Sequence, residues 1–130
     1  MNSDRIKMLE GILKSGISPI LLEDFPVSVF QDAVILESNC DVSELNGHYE
    51  GTEFCPPEWY KKLTSNDNAV LVINNINKIP TDEQIKFVEI FKYNKISTFE
   101  LPKNCIVIAI ASNLKENPIN EQVYSLMAHI

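Results

Sequence analysis

Two continuous apolar runs are the clearest feature of the chain. Residues 70–73 and 105–111 are unbroken and rich in β-branched side chains, which is the pattern of strands covered on both faces by helices. Shorter apolar runs over residues 19–22 and 33–36 predict two more strands. Because these runs alternate with segments of helical spacing, the sequence predicts an α/β fold with a mostly parallel sheet flanked by helices.

Several of the intervening segments carry apolar residues at helical spacing. Helices are therefore predicted from a cap at Ser3 or Asp4 to Gly16, from Glu58 to Leu63, from a cap at Thr81 through Phe91, and from about Asn120 to the end. In the third of these, Ile85 and Val88 are expected to share the apolar side with Phe91. Weak alternation over residues 96–101 indicates a small hairpin arm.

Other segments lack a clear period. The stretch from the second strand to Cys55 is polar and is expected to be irregular, and residues 65–68 form a turn cluster. Residues 25–32 are the only link between the first two predicted strands. A parallel crossover normally needs a dozen or more residues, so either these strands are not neighbours of the usual kind or the first is a stub.

Composition limits the partners and the location that we expect. With 130 residues, of which 45% are hydrophobic, the chain is long enough for one core, so one domain is expected over residues 1–130. A net charge of −7 argues against nucleic acid, because that affinity depends on clustered Lys and Arg. No apolar run approaches the length of a membrane span or a signal peptide core. We therefore expect a cytoplasmic protein without a membrane partner.

The cysteines and histidines give no motif. Cys40, Cys55 and Cys105 are odd in number and widely spaced, which fits neither a disulfide framework nor a zinc site, and buried free thiols are favoured. His48 and His129 have no Cys or His at metal-ligand spacing, so no metal site is expected.

The tip of the central predicted strand carries amides. Asn74 and Asn75 directly follow residues 70–73. In a nucleotide hydrolase, the first acid after such a strand helps to hold Mg²⁺ and the second polarises the attacking water. An amide is no general base, and it holds Mg²⁺ less firmly than a carboxylate does. The pair either binds a ligand through its amide dipoles or satisfies backbone groups at the strand end.

The order of these segments resembles the nucleotide-binding core of the AAA+ ATPases, particularly the MoxR-like branch. Residues 55–63 resemble the short helix before Walker B, and residues 70–80 resemble the Walker B strand with its tail. Residues 93–104 look like the small arm before the next strand, and residues 106–113 like the sensor 1 strand. Residues 123–130 look like the helix end that carries the arginine finger. The resemblance implies a reduced P-loop NTPase (AAA+)-like core without the helical lid.

Every phosphate-handling element of that family departs from its pattern. Where Walker A should begin, residues 23–29 have no glycine and no Lys-Ser or Lys-Thr pair. Asn74 and Asn75 replace the Walker B acids, and Leu126 stands at the finger position. Only the sensor-type Asn113 remains, and alone it is expected to cap the loop after its strand rather than to position a water.

These losses favour a pseudo-ATPase, a non-catalytic interaction or regulatory module without a cofactor. Its expected partner is a protein, either an AAA+ subunit or a second copy of the chain. Two alternatives remain open: a weak ATP-binding AAA+-type domain that uses ATP and Mg²⁺, and a small α/β protein of unrelated function.

Aromatic residues concentrate around Pro56-Pro57, and they are Tyr49, Phe54, Trp59 and Tyr60. Aromatic groups beside prolines are typical of recognition surfaces. They are equally typical of a flap that packs back on its own core. The sequence leaves both interpretations open.

Overall fold

A five-stranded parallel sheet forms the centre of the protein. The computed structural model describes residues 3–30, 32–65 and 69–129. In sheet order, with labels numbered along the chain, the strands are β2 (Val34–Glu37), β5 (Val70–Asn74), β8 (Ile106–Ala111), β1 (Ile20–Glu23) and β9 (Ala128–His129). All neighbouring pairs run parallel. The predicted α/β fold is confirmed, and it is consistent with a reduced P-loop-like core.

Helices flank the sheet on both faces. They are α1 (Ser3–Ser15), α2 (Val42–Asn46), α3 (Glu58–Thr64), α4 (Thr81–Gln84), α5 (Val88–Tyr93) and α6 (Glu121–Ser125). Short 3₁₀ turns cover Val27–Val29, Ile76–Lys78 and Ile85–Phe87. Two antiparallel hairpins stand apart from the sheet, β3 (His48–Glu50) with β4 (Glu53–Cys55), and β6 (Lys95–Ile96) with β7 (Phe99–Glu100). The second of these confirms the predicted hairpin arm.

The sheet separates two apolar clusters. On one face, Leu9 of α1 packs with Phe25 and Phe30 against the strands. On the other face, residues of α3, α5 and α6, such as Leu63 and Val123, cover the same strands. All residues of β8 are buried, which explains why its sequence is continuously apolar rather than alternating.

The link between β1 and β2 crosses the sheet. These strands are separated by β8 and β5, so the connection crosses three strand spacings, about 14 Å. Because the strands are parallel, it also runs back over the length of a four-residue strand, about 13 Å. The direct path is thus about 20 Å, and ten residues reach about 33 Å when extended. A link of this length therefore needs no full helix, and of the two alternatives the first, that β1 and β2 are not neighbours of the usual kind, is confirmed.

The predicted last helix is wrong in its extent. Helix α6 begins after Asn120, whose side chain accepts a hydrogen bond from Gln122 N, but it ends at Ser125. The chain then forms β9, in which Ala128 N donates to Pro19 O at 2.9 Å. An open edge beside β1 offers unpaired backbone groups, and pairing with them replaces further helix.

The predicted helix over residues 81–91 is also corrected. Thr81 is its first helical residue rather than its cap, and the cap, Pro80, makes no side-chain hydrogen bond. A 3₁₀ turn interrupts the helix and leaves Ile85 49% exposed. Gln84, which is fully buried, takes the inward position because its amide meets backbone groups there.

The segment before Cys55 is more regular than predicted. Helix α2 is capped by Asp41, whose carboxylate accepts from Glu44 N at 2.9 Å, and the β3–β4 hairpin follows it. Such short elements carry too few residues to show a period.

The predictions for the ends of α1 and for one turn have different outcomes. Gly16 has a φ of +77° after α1, as expected of a helix stop. Ser3 and Asp4 lie inside α1, so the prediction that either one caps it is wrong. Of the turn cluster at residues 65–68, residues 66–68 lie outside the described ranges.

Candidate functional site

The carboxyl edge of the sheet brings the predicted site residues together. Because the strands are parallel, their ends lie along one edge, in the order Glu37, Asn74, Ser112 and Glu23 at or just beyond the tips of β2, β5, β8 and β1. In a P-loop enzyme this is the edge that receives the nucleotide. Asn74, Asn75 and Asn113 all belong to it.

Both amides at the tip of β5 bind a neighbouring carboxylate. Asn74 Nδ2 lies 3.0 Å from Glu37 Oε2 and 3.3 Å from Oε1, and Asn75 Nδ2 lies 3.4 Å from Oε1. The backbone of Asn75 is left-handed, with φ +57°, and its carbonyl accepts from Ser38 Oγ at 2.6 Å and Lys78 N at 2.9 Å. Neither interpretation of the pair anticipated that its partner is a side-chain carboxylate.

This contact has an electrostatic consequence. Carboxylates at positions 74 and 75 would each face the Glu37 carboxylate at about the 3.0–3.4 Å of the present contacts, a repulsion relieved only by protonation or by a bound cation. The amides donate hydrogen bonds to Glu37 instead, so this carboxylate is paired without a metal ion.

The tip of β1 is closed in a different way. Asp24 adopts φ +60°, and its N–H donates to Ala111 O at 2.8 Å. In a phosphate cradle, backbone N–H groups at this position face the anion. Immediately beyond Asp24, Phe25 and Phe30 are buried on one face of the sheet, so this segment packs in the apolar core.

Asn113 starts a turn after β8. It is exposed, has φ +52°, and its carbonyl accepts from Glu116 N at 3.0 Å and Asn117 N at 2.9 Å. These contacts are made by its backbone, so the expected capping by its side chain stays a prediction.

Two buried amides that the sequence analysis missed connect this edge to the helices. Asn77 Nδ2 donates to the carbonyls of Ser112 and Asn117 at 2.5 and 2.7 Å, and its Oδ1 accepts from Ser112 N. Its side chain is 2% exposed. No local signal singles out Asn77, because Asn75 and Lys78 near it are also polar and its partners lie 35 and 40 positions away.

Gln84, the last residue of α4, performs the same function. Its Nε2 donates to Ile79 O at 3.1 Å and Pro118 O at 3.2 Å, and its Oε1 accepts from Asn120 N at 2.7 Å. Among the described residues, every buried side-chain polar atom has a partner. The polar groups behind this edge are therefore structural.

The predicted aromatic surface is largely internal. Trp59 is 6% exposed, and its Nε1 donates to Leu45 O at 3.0 Å. The Tyr60 hydroxyl donates to Glu100 O at 2.8 Å, which ties α3 to the β6–β7 arm. These contacts favour a flap packed on its own core.

Tyr49 is the exception within this set. Phe54 stacks on Phe99 at a centroid distance of 5.3 Å, whereas Tyr49 lies 4.9 Å from Phe54 and is 72% exposed. The outer face of the β3–β4 hairpin thus presents one accessible aromatic ring.

The cysteines are free thiols. Burial raises the pKa of Cys105 to about 11, and burial also raises the pKa of Cys40. Both are buried, as predicted, whereas Cys55 is only partly buried. Partial desolvation and then the carboxylates of Glu50 and Glu53 raise the pKa of Cys55. None of the three is therefore an activated nucleophile at neutral pH.

No protein-family profile matches this chain, and no curated protein is similar enough to count as a relative. In the described part of the chain, no helix has both the length and the apolar character needed to cross a bilayer.

Proposed function

We propose that this chain is a non-catalytic, cytoplasmic interaction or regulatory module built on a reduced AAA+-like core. One observation carries the proposal: the amides of Asn74 and Asn75 hold the Glu37 carboxylate where the resemblance would put Mg²⁺ and the γ-phosphate. A carboxylate there repels phosphate, and no acid remains at the tip of β5 to offset it with a metal ion.

The arrangement of the strands supports the AAA+-like part of the proposal. Catalysis by such a core requires the Walker A, sensor 1 and Walker B tips to meet around one phosphate group. The corresponding strands here, β1, β8 and β5, are direct neighbours in that order. The framework that would assemble the site is retained, and the groups that would handle phosphate are absent from it.

Such a framework, without groups that handle phosphate, is suited to binding a protein partner. AAA+ subunits assemble side by side, so a degenerate copy suits a position next to an AAA+ subunit or next to a second copy of itself. Tyr49, at 72% exposure, is the member of the predicted aromatic surface that is available for this contact, and exposed tyrosines are enriched in interfaces.

A thermal melt with and without millimolar ATP–Mg²⁺ tests the non-catalytic part. We expect no shift, because a ligand stabilises a protein only in proportion to its binding of the folded state. A rise of several degrees would contradict the proposal and support the weak ATP-binding alternative.

Site-specific photo-crosslinking in the native host tests the interaction part. A benzoylphenylalanine replacing Tyr49 should give a discrete crosslinked product whose yield does not change when ATP is depleted. The matched control replaces Tyr93, which is 59% exposed on helix α5. Equal products at both positions, or none at position 49, would contradict a specific interface there.

A further inference from the structure

The β3–β4 hairpin has two chemically different faces. In its register, His48 is opposite Cys55 and Glu50 is opposite Glu53, with Tyr49 opposite Phe54 between them. Side chains of opposed residues point to the same side of a ribbon, and successive residues point to opposite sides. One face is therefore aromatic, and the other carries an imidazole, a thiol and two carboxylates.

Three of these groups already lie within reach of one metal ion. His48 Nε2 is 3.3 Å from Glu50 Oε1, and the ligand atoms of His48, Glu50 and Cys55 all lie within 4.8 Å of one another. For a tetrahedral zinc ion with bonds of about 2.0–2.3 Å, ligand atoms are about 3.3–3.8 Å apart. Small side-chain rotations are enough to close the remaining gap.

The backbone holds these side chains in position. Gly47 has φ +86°, and a Cβ there would come within 2.4 Å of Cys55 O, so only glycine allows the two strands to approach just before His48. Directly after Cys55, Pro56 and Pro57 restrict the chain at the other end of the pair. The ligand-bearing positions are thus fixed before any ion binds.

The chemistry of the three groups selects the ion. Imidazole nitrogen and thiolate sulfur are ligands for borderline and soft cations, whereas Ca²⁺ and Mg²⁺ require oxygen. A thiolate and a carboxylate together neutralise a divalent charge. We propose that His48, Glu50 and Cys55 form a zinc-binding site with its fourth position open to water.

The location of the cluster is compatible with an open site. The side chains of His48 and Glu50 are 54% and 73% exposed, so an ion can enter from solvent. His48 also lines a groove of about 400 Å³ together with Ser43, Trp59 and Lys61. Three protein ligands with one open position are typical of zinc sites that exchange a ligand, whereas four protein ligands close a structural site.

Motif spacing does not reveal this site. His48 and Cys55 are seven positions apart, outside the short spacings of common zinc motifs. They meet because the hairpin pairs them, and the hairpin itself was not predicted. The proposal concerns the hairpin alone and does not depend on the absence of nucleotide binding.

Metal titration of the untagged, reduced protein tests the proposal. We expect one equivalent of Zn²⁺ by calorimetry, and Co²⁺ in its place should give a sulfur-to-cobalt charge-transfer band. His48→Ala and Cys55→Ser should each weaken zinc binding by at least about tenfold, since even loss of an outer partner of a metal ligand has effects of that order. Cys55→Ser should also abolish the charge-transfer band.

His129→Ala provides the matched control, because His129 is the other histidine and is exposed on β9. Its zinc affinity should equal that of the wild type. Circular dichroism without metal should show that all three variants keep their fold, because His48 and Cys55 lie on the hairpin outside the core clusters and His129 is exposed on an edge strand. The site is refuted if wild-type protein gives no charge-transfer band, if Cys55→Ser binds zinc as tightly as the wild type, or if His129→Ala weakens binding equally.

Discussion

Asn74 and Asn75 bind Glu37 at the exact positions where the family resemblance would place acids. The exchange of a carboxylate for an amide is usually described as a loss of catalysis. In this protein it is also a gain of local stability, because each amide N–H donates to an oxygen that would otherwise face a like charge. Under the proposed function, the two residues that stand in place of the catalytic acids are also the ones that pair with the Glu37 carboxylate.

Asn74→Asp tests this relation. The variant replaces a donor 3.0 Å from Glu37 by a second carboxylate, so the free energy of unfolding should fall by about 1 kcal/mol, a modest loss because Glu37 is exposed. Urea unfolding measures the loss, and Glu37→Gln in the same chain should restore most of it. Asn104→Asp, an exposed asparagine just before β8, is the control that should change little. Additive effects of the two substitutions would contradict the contact.

The buried thiol of Cys105 gives a pH-dependent prediction. Its pKa is about 11 in the folded protein against an ordinary value of 9.0, so between these values the unfolded chain loses a proton that the folded chain keeps. Stability should therefore fall as the pH rises from about 9 to about 11, by about 1–3 kcal/mol.

Comparison with Cys105→Ala isolates this contribution from lysine and tyrosine titration. Urea unfolding at about pH 8 and about pH 10.5 should show a smaller loss of stability in the variant than in the wild type. Identical pH dependence in the two proteins would show that the thiol does not ionise on unfolding in this range.

The secondary-structure elements differ in how far local sequence determines them. Strands β5 and β8 were predictable because burial on both faces leaves a continuous apolar run. The β3–β4 hairpin and β9 were not: β9 pairs with β1 near the other end of the chain, and β3 and β4 contain no apolar run, whereas the equally short β6–β7 arm was indicated by weak alternation. The candidate site was likewise predictable only in part. The sequence places Asn74 and Asn75 at a strand tip, but only the pairing of β2 with β5 brings Glu37 to them.

Gln84 shows how one residue can connect elements. It is fully buried and bonds to Ile79, Pro118 and Asn120, so it joins the start of α4 to the loop before α6. Gln84→Leu should lower the free energy of unfolding by about 2–4 kcal/mol, because three buried backbone groups lose their partner.

The control for this substitution is Gln122→Leu, which changes an exposed glutamine on α6. It should alter stability by less than about 0.5 kcal/mol. Chemical denaturation measures the free energy of unfolding of both variants. Equal small losses of stability would mean that water takes the place of the Gln84 side chain at these backbone groups.

For the whole molecule, the contacts that oppose phosphate binding under the proposed function are distributed over the tips of β2, β5 and β1. Glu37 is held by amides, the Asp24 N–H is bound to Ala111, and Phe25 is part of the core. The Glu37 contact lies at the tips of β2 and β5, whereas Asp24 and Phe25 both follow β1. The proposed function therefore predicts that acids placed at the β5 tip alone do not create a phosphate site.

The double variant Asn74→Asp with Asn75→Glu restores both Walker B-type acids. We expect that it still shows no thermal shift with ATP beyond that given by Mg²⁺, because the β1 tip offers no backbone cradle for phosphate. Mg²⁺ alone should raise its melting temperature and leave the wild type unchanged, since positions 74 and 75 would then join Glu37 in an all-oxygen site. Ca²⁺ serves as the comparison ion, and Asn104→Asp serves as the control for an added exposed charge. If ATP–Mg²⁺ stabilised the double variant by several degrees more than Mg²⁺ does, the phosphate cradle would have to be intact, and the interpretation of residues 23–29 as a core segment would be wrong.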